Sequence, residues 1–269
     1  MRYLQANRDH WDELVPAHAR SAFYDVESFR AGRTTLMPLE RKELGDVGGK
    51  SMLHLQCHFG LDTISWARLG ARVTGADFSP QAIRLARSLS AELDVSARFV
   101  CADLYELPGV LDELFDIVFT SYGVLSWLPD LARWGQVIAH FLRPDGIFYI
   151  AEIHPFACIF SDQVDTPNLQ IHYPYFSSGE PLRFDESGSY ATPDTQLEHT
   201  TMYEWPYPIG DIVSALVAAG LQIDFLHEFP YASYQMFPLL EQDEDGWWWL
   251  PGQKSLIPMT FSLQAHKAP

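Results

Sequence analysis

A few side chains stand where chemistry could be done. Asp77 ends a short apolar run, Val73 to Ala76, and is followed by Ser79–Pro80, an oxygen cap and a first-position proline that start a helix. Upstream, Met52, Leu53 and Leu55 lead into the turn Gln56–Cys57–His58–Phe59–Gly60. Leu61, Ile64, Trp66, Ala67 and Leu69 then follow at helical spacing, with Gly70 placed to end the helix. Two parallel strands joined by a helix bring that turn and Asp77 together at one sheet edge, where nucleotide-like ligands sit in open α/β folds. Asp103 stands one strand further on, after residues 96–101 and within Ala102–Asp103–Leu104. His154 closes the run 147–153 and is the candidate general base, since an unperturbed imidazole titrates near pH 6.5. Tyr122 is the alternative base or orienter; Glu152, a residue that can point away from the pocket, ranks behind both. Pro155 leaves a competing reading for His154, as a strand terminator bonded to backbone.

These residues need a regular scaffold, and the chain supplies one from residue 50 onward. Asp116 to Thr120 read as a fourth strand that delivers Ser121, Tyr122 and Gly123. Asp130 caps a helix carrying Leu131, Trp134, Val137, Ile138 and Phe141, and Pro144–Asp145–Gly146 turns into the fifth strand. After His154 the rhythm stops. Residues 155–208 are rich in Pro, Ser, Asp and aromatics, and an insertion of that length should be partly ordered. Residues 196–205 have strand character and 183–190 can pair with them. A helix over 209–219, a strand over 221–229 and a last strand within IPMTFSLQAHK resume the pattern, with a second aromatic elaboration at 231–250.

The run LHLQCHFG…GARVTGADFSPQAIRLAR, with FDIVFTSYGVLSWLPD and RPDGIFYIAEIHP, resembles the class I S-adenosylmethionine-dependent methyltransferases over residues 50 to 154. The resemblance implies a Rossmann-like, mostly parallel seven-stranded sheet with helices on both faces and an antiparallel last strand. It implies S-adenosylmethionine as cofactor, with the acid at the end of the second strand holding the ribose and an acid after the third holding the adenine amino group. The cofactor residues expected on this basis are Gln56, Cys57, His58, Gly60, Asp77, Phe78, Ser79, Ala102, Asp103, Leu104, Ser121 and Tyr24. The turn departs from the family's D-x-G-x-G-x-G: His54, Gln56 and His58 replace the acid and two glycines, leaving Gly60.

Residues 1–49 read as an N-terminal helical lid, with Asn7 and Asp9 as caps and Pro16 kinking or dividing the helix. Trp11, His18, Tyr24 and Phe29 either face the cofactor or glue this segment to the core. Residues 50–269 form the methyltransferase domain, with 155–208 and 231–250 as substrate caps. Trp247, Trp248 and Trp249 beside Glu241, Asp243, Glu244 and Asp245 are either a cation-binding wall or core cover with solvated acids.

Net charge is −17, and residues 151–269 hold 3 basic against 16 acidic side chains. Such a surface repels phosphate backbones and anionic lipid, so neither nucleic acid nor membrane is expected as a partner. Three isolated cysteines, no CxxC or H-x-x-x-H spacing, no N-terminal signal pattern and no apolar run near the ~20 residues of a membrane helix point to a cytoplasmic protein without metal or disulfide. The leading function is methyl transfer to a small-molecule acceptor. The competing class is a non-catalytic S-adenosylmethionine-binding protein, or a fold relative recruited to non-methylating chemistry.

Overall fold

The computed structural model describes residues 2–161, 168–252 and 256–268. In chain order, three helices come first: α1 (Arg2–Arg20), α2 (Val26–Arg30) and α3 (Pro38–Leu44). The alternating core follows as β1 (Ser51–Leu55), α4 (Leu61–Arg68), β2 (Arg72–Asp77), α5 (Pro80–Glu92), β3 (Ala97–Cys101), β4 (Phe115–Ser121), α6 (Leu131–Phe141) and β5 (Leu142–Ile153). A hairpin of β6 (Leu182–Asp185) and β7 (Thr201–Glu204) interrupts it before α7 (Ile209–Ala218) and β8 (Leu221–Phe229). The short strands β9 (Tyr231–Ala232), β10 (Glu241–Gln242) and β11 (Trp248–Trp249) precede the final β12 (Thr260–Lys267).

Seven strands form one sheet in the order β3-β2-β1-β4-β5-β12-β8. β12 is antiparallel to both of its neighbours, β5 and β8. The central strands are buried on both faces, and period-two alternation divides their side chains between two cores. Leu53, Leu55, Val118, Phe148 and Ile150 pack against α6 and α7. Met52, Ile117, Phe119, Tyr149 and Ala151 pack on the other face with Leu39, Leu44 and Trp66. The sequence-level caps hold: Ser79 Oγ accepts from Ala82 N at 3.0 Å and Asp130 Oδ1 from Arg133 N at 3.0 Å. The turn expected at Pro144–Asp145–Gly146 falls at a register shift inside β5. Leu142 already pairs with Phe115, Asp145 is left-handed at φ 60°, and pairing resumes at Ile147 with Ile117.

The N-terminal segment differs most from expectation. α1 starts at Arg2 and runs undivided through Pro16. Asn7 is therefore no cap. It lies fully buried in mid-helix, where Nδ2 donates to Tyr203 O at 2.8 Å and Oδ1 accepts from Tyr203 N at 2.7 Å, as a neighbouring strand would. His10 Nδ1 bonds His199 O at 2.7 Å, and the Glu13 carboxylate accepts Glu198 N at 2.8 Å and His199 N at 2.9 Å. Residues 7, 10 and 13 share one helix face, and that face holds the backbone of 198–203. Asp12, on another face, accepts from Ser79 Oγ at 2.6 Å and Gln81 N at 2.8 Å at the start of α5.

Within the insertion 155–208, β6 and β7 pair over four residues each; its residues 162–167 lie outside the described residues. Its start packs with the 231–250 segment around a small core of its own that includes Ile159, Phe160, Phe237 and Leu250. The tryptophan run divides, with Trp248 and the acid Asp245 on a cavity wall. Trp247 is buried against the Tyr231 ring, Trp249 Nε1 donates to Asp243 at 2.5 Å, and Glu241 and Glu244 are exposed.

Replacing Asn7 by Leu leaves the Tyr203 amide and carbonyl without partners, at about 1–3 kcal/mol each. Urea unfolding should show a loss of about 2–4 kcal/mol, with faster proteolysis around 198–203. An unchanged midpoint and cleavage pattern would show that α1 does not hold the insertion.

Candidate functional site

The carboxyl ends of β1, β2, β3 and β4 open onto a cavity of about 1360 Å³. Its floor begins at the turn between β1 and α4. Gln56 and His58, at positions where glycine would be relaxed, are left-handed at φ 54° and 50°, and Gly60 follows at 79°. A non-glycine residue in that conformation costs about 1–2 kcal/mol. At Gly60 glycine is required, because an added Cβ would lie 2.6 Å from the Phe99 ring. The His58 ring is packed by Trp11, His18, Tyr24 and Phe59 with centroids 4.3–5.5 Å away. Burial lowers His58 well below the ordinary histidine range and His18 to about 4, so both rings are neutral at pH 7. Gln56 Nε2 donates to Val124 O at 3.0 Å. Gln56 Oε1, His58 Nε2 and His18 Nδ1 have no hydrogen-bond partner, so half of the described buried side-chain atoms in that state gather at this turn. His54, by contrast, is a core residue bonded to Thr63 Oγ1 at 2.8 Å.

Asp77 ties this turn to the next. Its two oxygens accept from Ser79 N and His58 N, each at 2.9 Å, and each keeps capacity for a further donor. Burial pushes the carboxyl up to about 6, against the downward pull of the Ser79, His58 and Phe78 amides. Phe78, Ala102, Asp103 and Leu104 also line the cavity, as do Cys57, Ser121 and Tyr24. Asp103 accepts from Tyr105 N at 2.8 Å. Ser79 does not reach the cavity: its hydroxyl caps α5 and donates to Asp12, so it acts on the site only through Asp77.

At the end of β4 the cavity meets a group of acids, of which the sequence singled out Glu152 but neither Asp62 nor Glu40. Asp62, in the first turn of α4, lines the cavity and accepts from Thr35 Oγ1 at 2.5 Å and Ser121 Oγ at 3.1 Å. Tyr122 also lines the cavity, but its hydroxyl donates to Glu40 at 2.9 Å. Glu40 is fully buried in α3; burial, then the charge of Asp62, pushes it up to about 8. Glu152 points into the site rather than away from it. Its carboxylate accepts the amides of Gly123, Val124 (2.7 Å), Leu125 (3.1 Å) and Ile153 (2.7 Å), which fixes the loop after β4. A first-turn acid such as Asp62 reads in sequence as an ordinary complement to the helix dipole, so nothing there marked it.

The structure turns His154, the candidate general base, away from the cavity. Its ring reaches sideways past Phe261 of β12, where Nε2 bonds Glu228 at 2.9 Å and Nδ1 accepts from Phe156 N at 3.0 Å. Both nitrogens are occupied, burial lowers its pKa, and the ring is absent from the cavity wall although Ile153 and Pro155 are part of it. Phe29 likewise belongs to the core, fully buried beneath the Arg68 guanidinium at 4.3 Å. Trp11 and Tyr24 do face the cavity, and Tyr24 hydroxyl meets that of Tyr190 at 2.5 Å.

The far half of the cavity is walled by the insertion and the 231–250 segment, including Tyr175, Phe184, Tyr190, Trp205, Tyr234 and Trp248. Phe23, Tyr190 and Tyr234, from three separate segments, meet with ring centroids 5.1–6.4 Å apart. Arg33 is the one Lys or Arg among the described lining residues. Among the described residues no three metal-ligating side chains are grouped, and no helix is long and apolar enough to cross a membrane.

Comparison with known proteins places this geometry. Residues 53–150 match the family model described as a methyltransferase domain. A ubiquinone biosynthesis O-methyltransferase of Methylobacterium sp. is 28% identical over 146 residues, 54% of this chain and 58% of that protein. The Alkalilimnicola ehrlichii protein of the same name is 32% identical over 120 residues, 44% of this chain and 48% of its own length. The chain thus spans about half the length of the curated relatives it matches. Among solved structures, an S-adenosylmethionine-dependent methyltransferase from Mesorhizobium loti superposes with TM-score 0.60 at 22% identity, over 86% of this chain and 96% of that one. The glycopeptide N-methyltransferase MtfA complexed with (S)-adenosyl-L-methionine superposes with TM-score 0.55 at 17% identity, over 86% and 92%. At these identities the structures share the fold.

The buried Glu40 gives a prediction about pH. A carboxyl raised from 4.5 to about 8 in the folded state keeps its proton there when the unfolded chain has lost it. Stability contributed this way is complete below the unfolded value and is lost as pH rises through the folded one. The melting temperature of the wild type should therefore fall between about pH 5 and 8, and Glu40→Gln should flatten that fall. Parallel profiles for the two proteins would contradict a protonated Glu40.

Proposed function

We propose, proceeding from the membership of this chain in the class I S-adenosylmethionine-dependent methyltransferase family, that it transfers a methyl group to a small-molecule acceptor held in the aromatic half of the cavity. The observation that carries the reading is one continuous cavity that joins the turn Gln56–Gly60, Asp77 and Asp103 to the walls built by the two insertions. The residues at the sheet edge fit the cofactor. Asp77 has acceptor capacity left for two ribose hydroxyls, Asp103 sits one strand beyond it, and the turn keeps left-handed geometry despite its non-glycine residues. When bound, S-adenosylmethionine supplies an electrophilic methyl group on a sulfonium. Phe78, Ala102 and Leu104 flank the adenosine in this reading, with Cys57, Ser121 and Tyr24 toward the methyl-bearing end.

The chain's own contribution is alignment and exclusion of water, which can be worth roughly 7–11 kcal/mol of barrier. His154 is turned away, Tyr122 directs its proton to Glu40, and the Glu152 carboxylate is enclosed by amides, so transfer rests on positioning. Residues 1–49 act as the lid, with Trp11, Phe23 and Tyr24 over the site. The enclosed aromatic wall and a net charge of −17 favour a small acceptor over nucleic acid or a membrane surface, and three free cysteines accord with a cytoplasmic protein.

Incubation with methyl-labelled S-adenosylmethionine should label metabolites in a small-molecule extract, and not bulk RNA, DNA or intact protein. Label only in macromolecules, or none anywhere despite cofactor binding, would sink the proposal; the second outcome would favour a non-catalytic binder. Asp77→Ala removes hydrogen bonds of the charged type, roughly 1.5–3 kcal/mol each, so calorimetry should show at least about tenfold weaker S-adenosylhomocysteine binding. Equal affinity would remove Asp77 from the site. His154→Ala should lower the melting temperature while turnover, corrected for folded protein, stays within about tenfold of wild type, because a lost general base costs ~10²–10⁴.

A further inference from the structure

Asp62 is a carboxylate without a cation, set in the wall of the cofactor half of the cavity. Its partners are neutral hydroxyls, Thr35 and Ser121, and among the described ion pairs none includes it. Two hydroxyl donors orient a carboxylate but leave its charge uncompensated, and a buried charge in that state is costly unless something positive arrives. Its field reaches across the site: the nearby Tyr24, Glu40, Cys57 and Tyr122 are all raised in part by the charge on Asp62, behind the larger effect of their burial.

Among the described lining residues the one guanidinium belongs to Arg33, two residues before Thr35 on the same stretch. The segment is anchored at both points. Arg68 donates to Arg33 O at 3.1 Å, and Thr35 Oγ1 reaches Asp62. The Arg33 head group makes only long contacts, to Tyr24 O at 3.3 Å and to Asp25 at 3.5 Å, and its side chain is 46% exposed. A fixed anion in the wall and a half-exposed cation on the stretch that bonds it match a zwitterion carrying an ammonium and a carboxylate on one carbon.

We propose that Asp62, oriented by Thr35 and Ser121, receives the ammonium group of the cofactor's amino-acid end, while Arg33 receives its carboxylate. The assignment rests on the cofactor reading above, and it adds two ligands that lie outside the turn and Asp77. It separates ammonium from sulfonium on geometric grounds. The carboxylate and ammonium of an amino acid share one carbon, so the anion that serves the ammonium must stand beside the cation that serves the carboxylate, as Asp62 stands beside the 33–35 stretch.

Three nucleosides distinguish the possibilities by calorimetry. S-adenosylmethionine carries ammonium and sulfonium, S-adenosylhomocysteine only the ammonium, and 5′-methylthioadenosine neither. Asp62→Asn keeps the size of the side chain and an oxygen for a hydroxyl, and its melting temperature is checked first. The expected result is a loss of at least about tenfold, or 1.4 kcal/mol, for both S-adenosylmethionine and S-adenosylhomocysteine, with 5′-methylthioadenosine changed less than about twofold. Arg33→Gln should show the same pattern. A loss confined to S-adenosylmethionine would mean that Asp62 faces the sulfonium; an equal loss for all three, or no loss, would mean that it only shapes the pocket. Any of these overturns the proposal while leaving the cofactor reading intact. A wild-type protein that binds none of the three takes down the cofactor reading itself. If Asp62→Asn fails to fold, Arg33→Gln decides alone by the same comparison, because its side chain lies at the rim.

Discussion

The architecture of the site depends on one helix bonded to two parts of the chain at once. α1 presents Asn7, His10 and Glu13 to the backbone of 198–203, and Asp12 to the first turn of α5. The insertion and the sheet edge therefore share a strut. The bonds are largely side chain to backbone, which explains their precision. A buried amide or carbonyl of an irregular segment must find a partner, and Asn7 supplies both halves to Tyr203 in the geometry of a strand neighbour.

The site also concentrates costs that a core would avoid. Two non-glycine residues are left-handed in the turn, and three polar atoms around it lack partners. Asp62, Asp77, Glu40 and Glu152 are carboxyls whose burial raises them. Such terms persist only where the surroundings over-determine them, and here the surroundings are two packed faces of a seven-stranded sheet. The sheet edge carries the acids; the cavity rim, from Arg33 to Tyr190, is made of exposed or half-exposed groups on separate segments. The start of the insertion and the 231–250 segment share a small core around Phe160 and Phe237.

Much of this was legible in the sequence because it is local. The βα alternation shows in apolar runs of strand length, and the ends of helices show in Ser79–Pro80, Asp130 and Gly220, whose effects act within one turn of the chain. Position along consecutive parallel strands placed the turn, Asp77 and Asp103 at a common edge, since the order of such strands leaves few alternatives. The tertiary structure alone decided where long-range polar groups point. Asn7 read as a cap because a cap and a cross-chain clamp use the same amide, and Tyr203, which selects between them, is distant in sequence. His154 and Glu152 lie two residues apart at one strand end, yet β12 and Glu228 draw the first away while the amides of the loop after β4 draw the second in. Local propensity cannot choose between such outcomes, because each is fixed by a partner that only folding brings near.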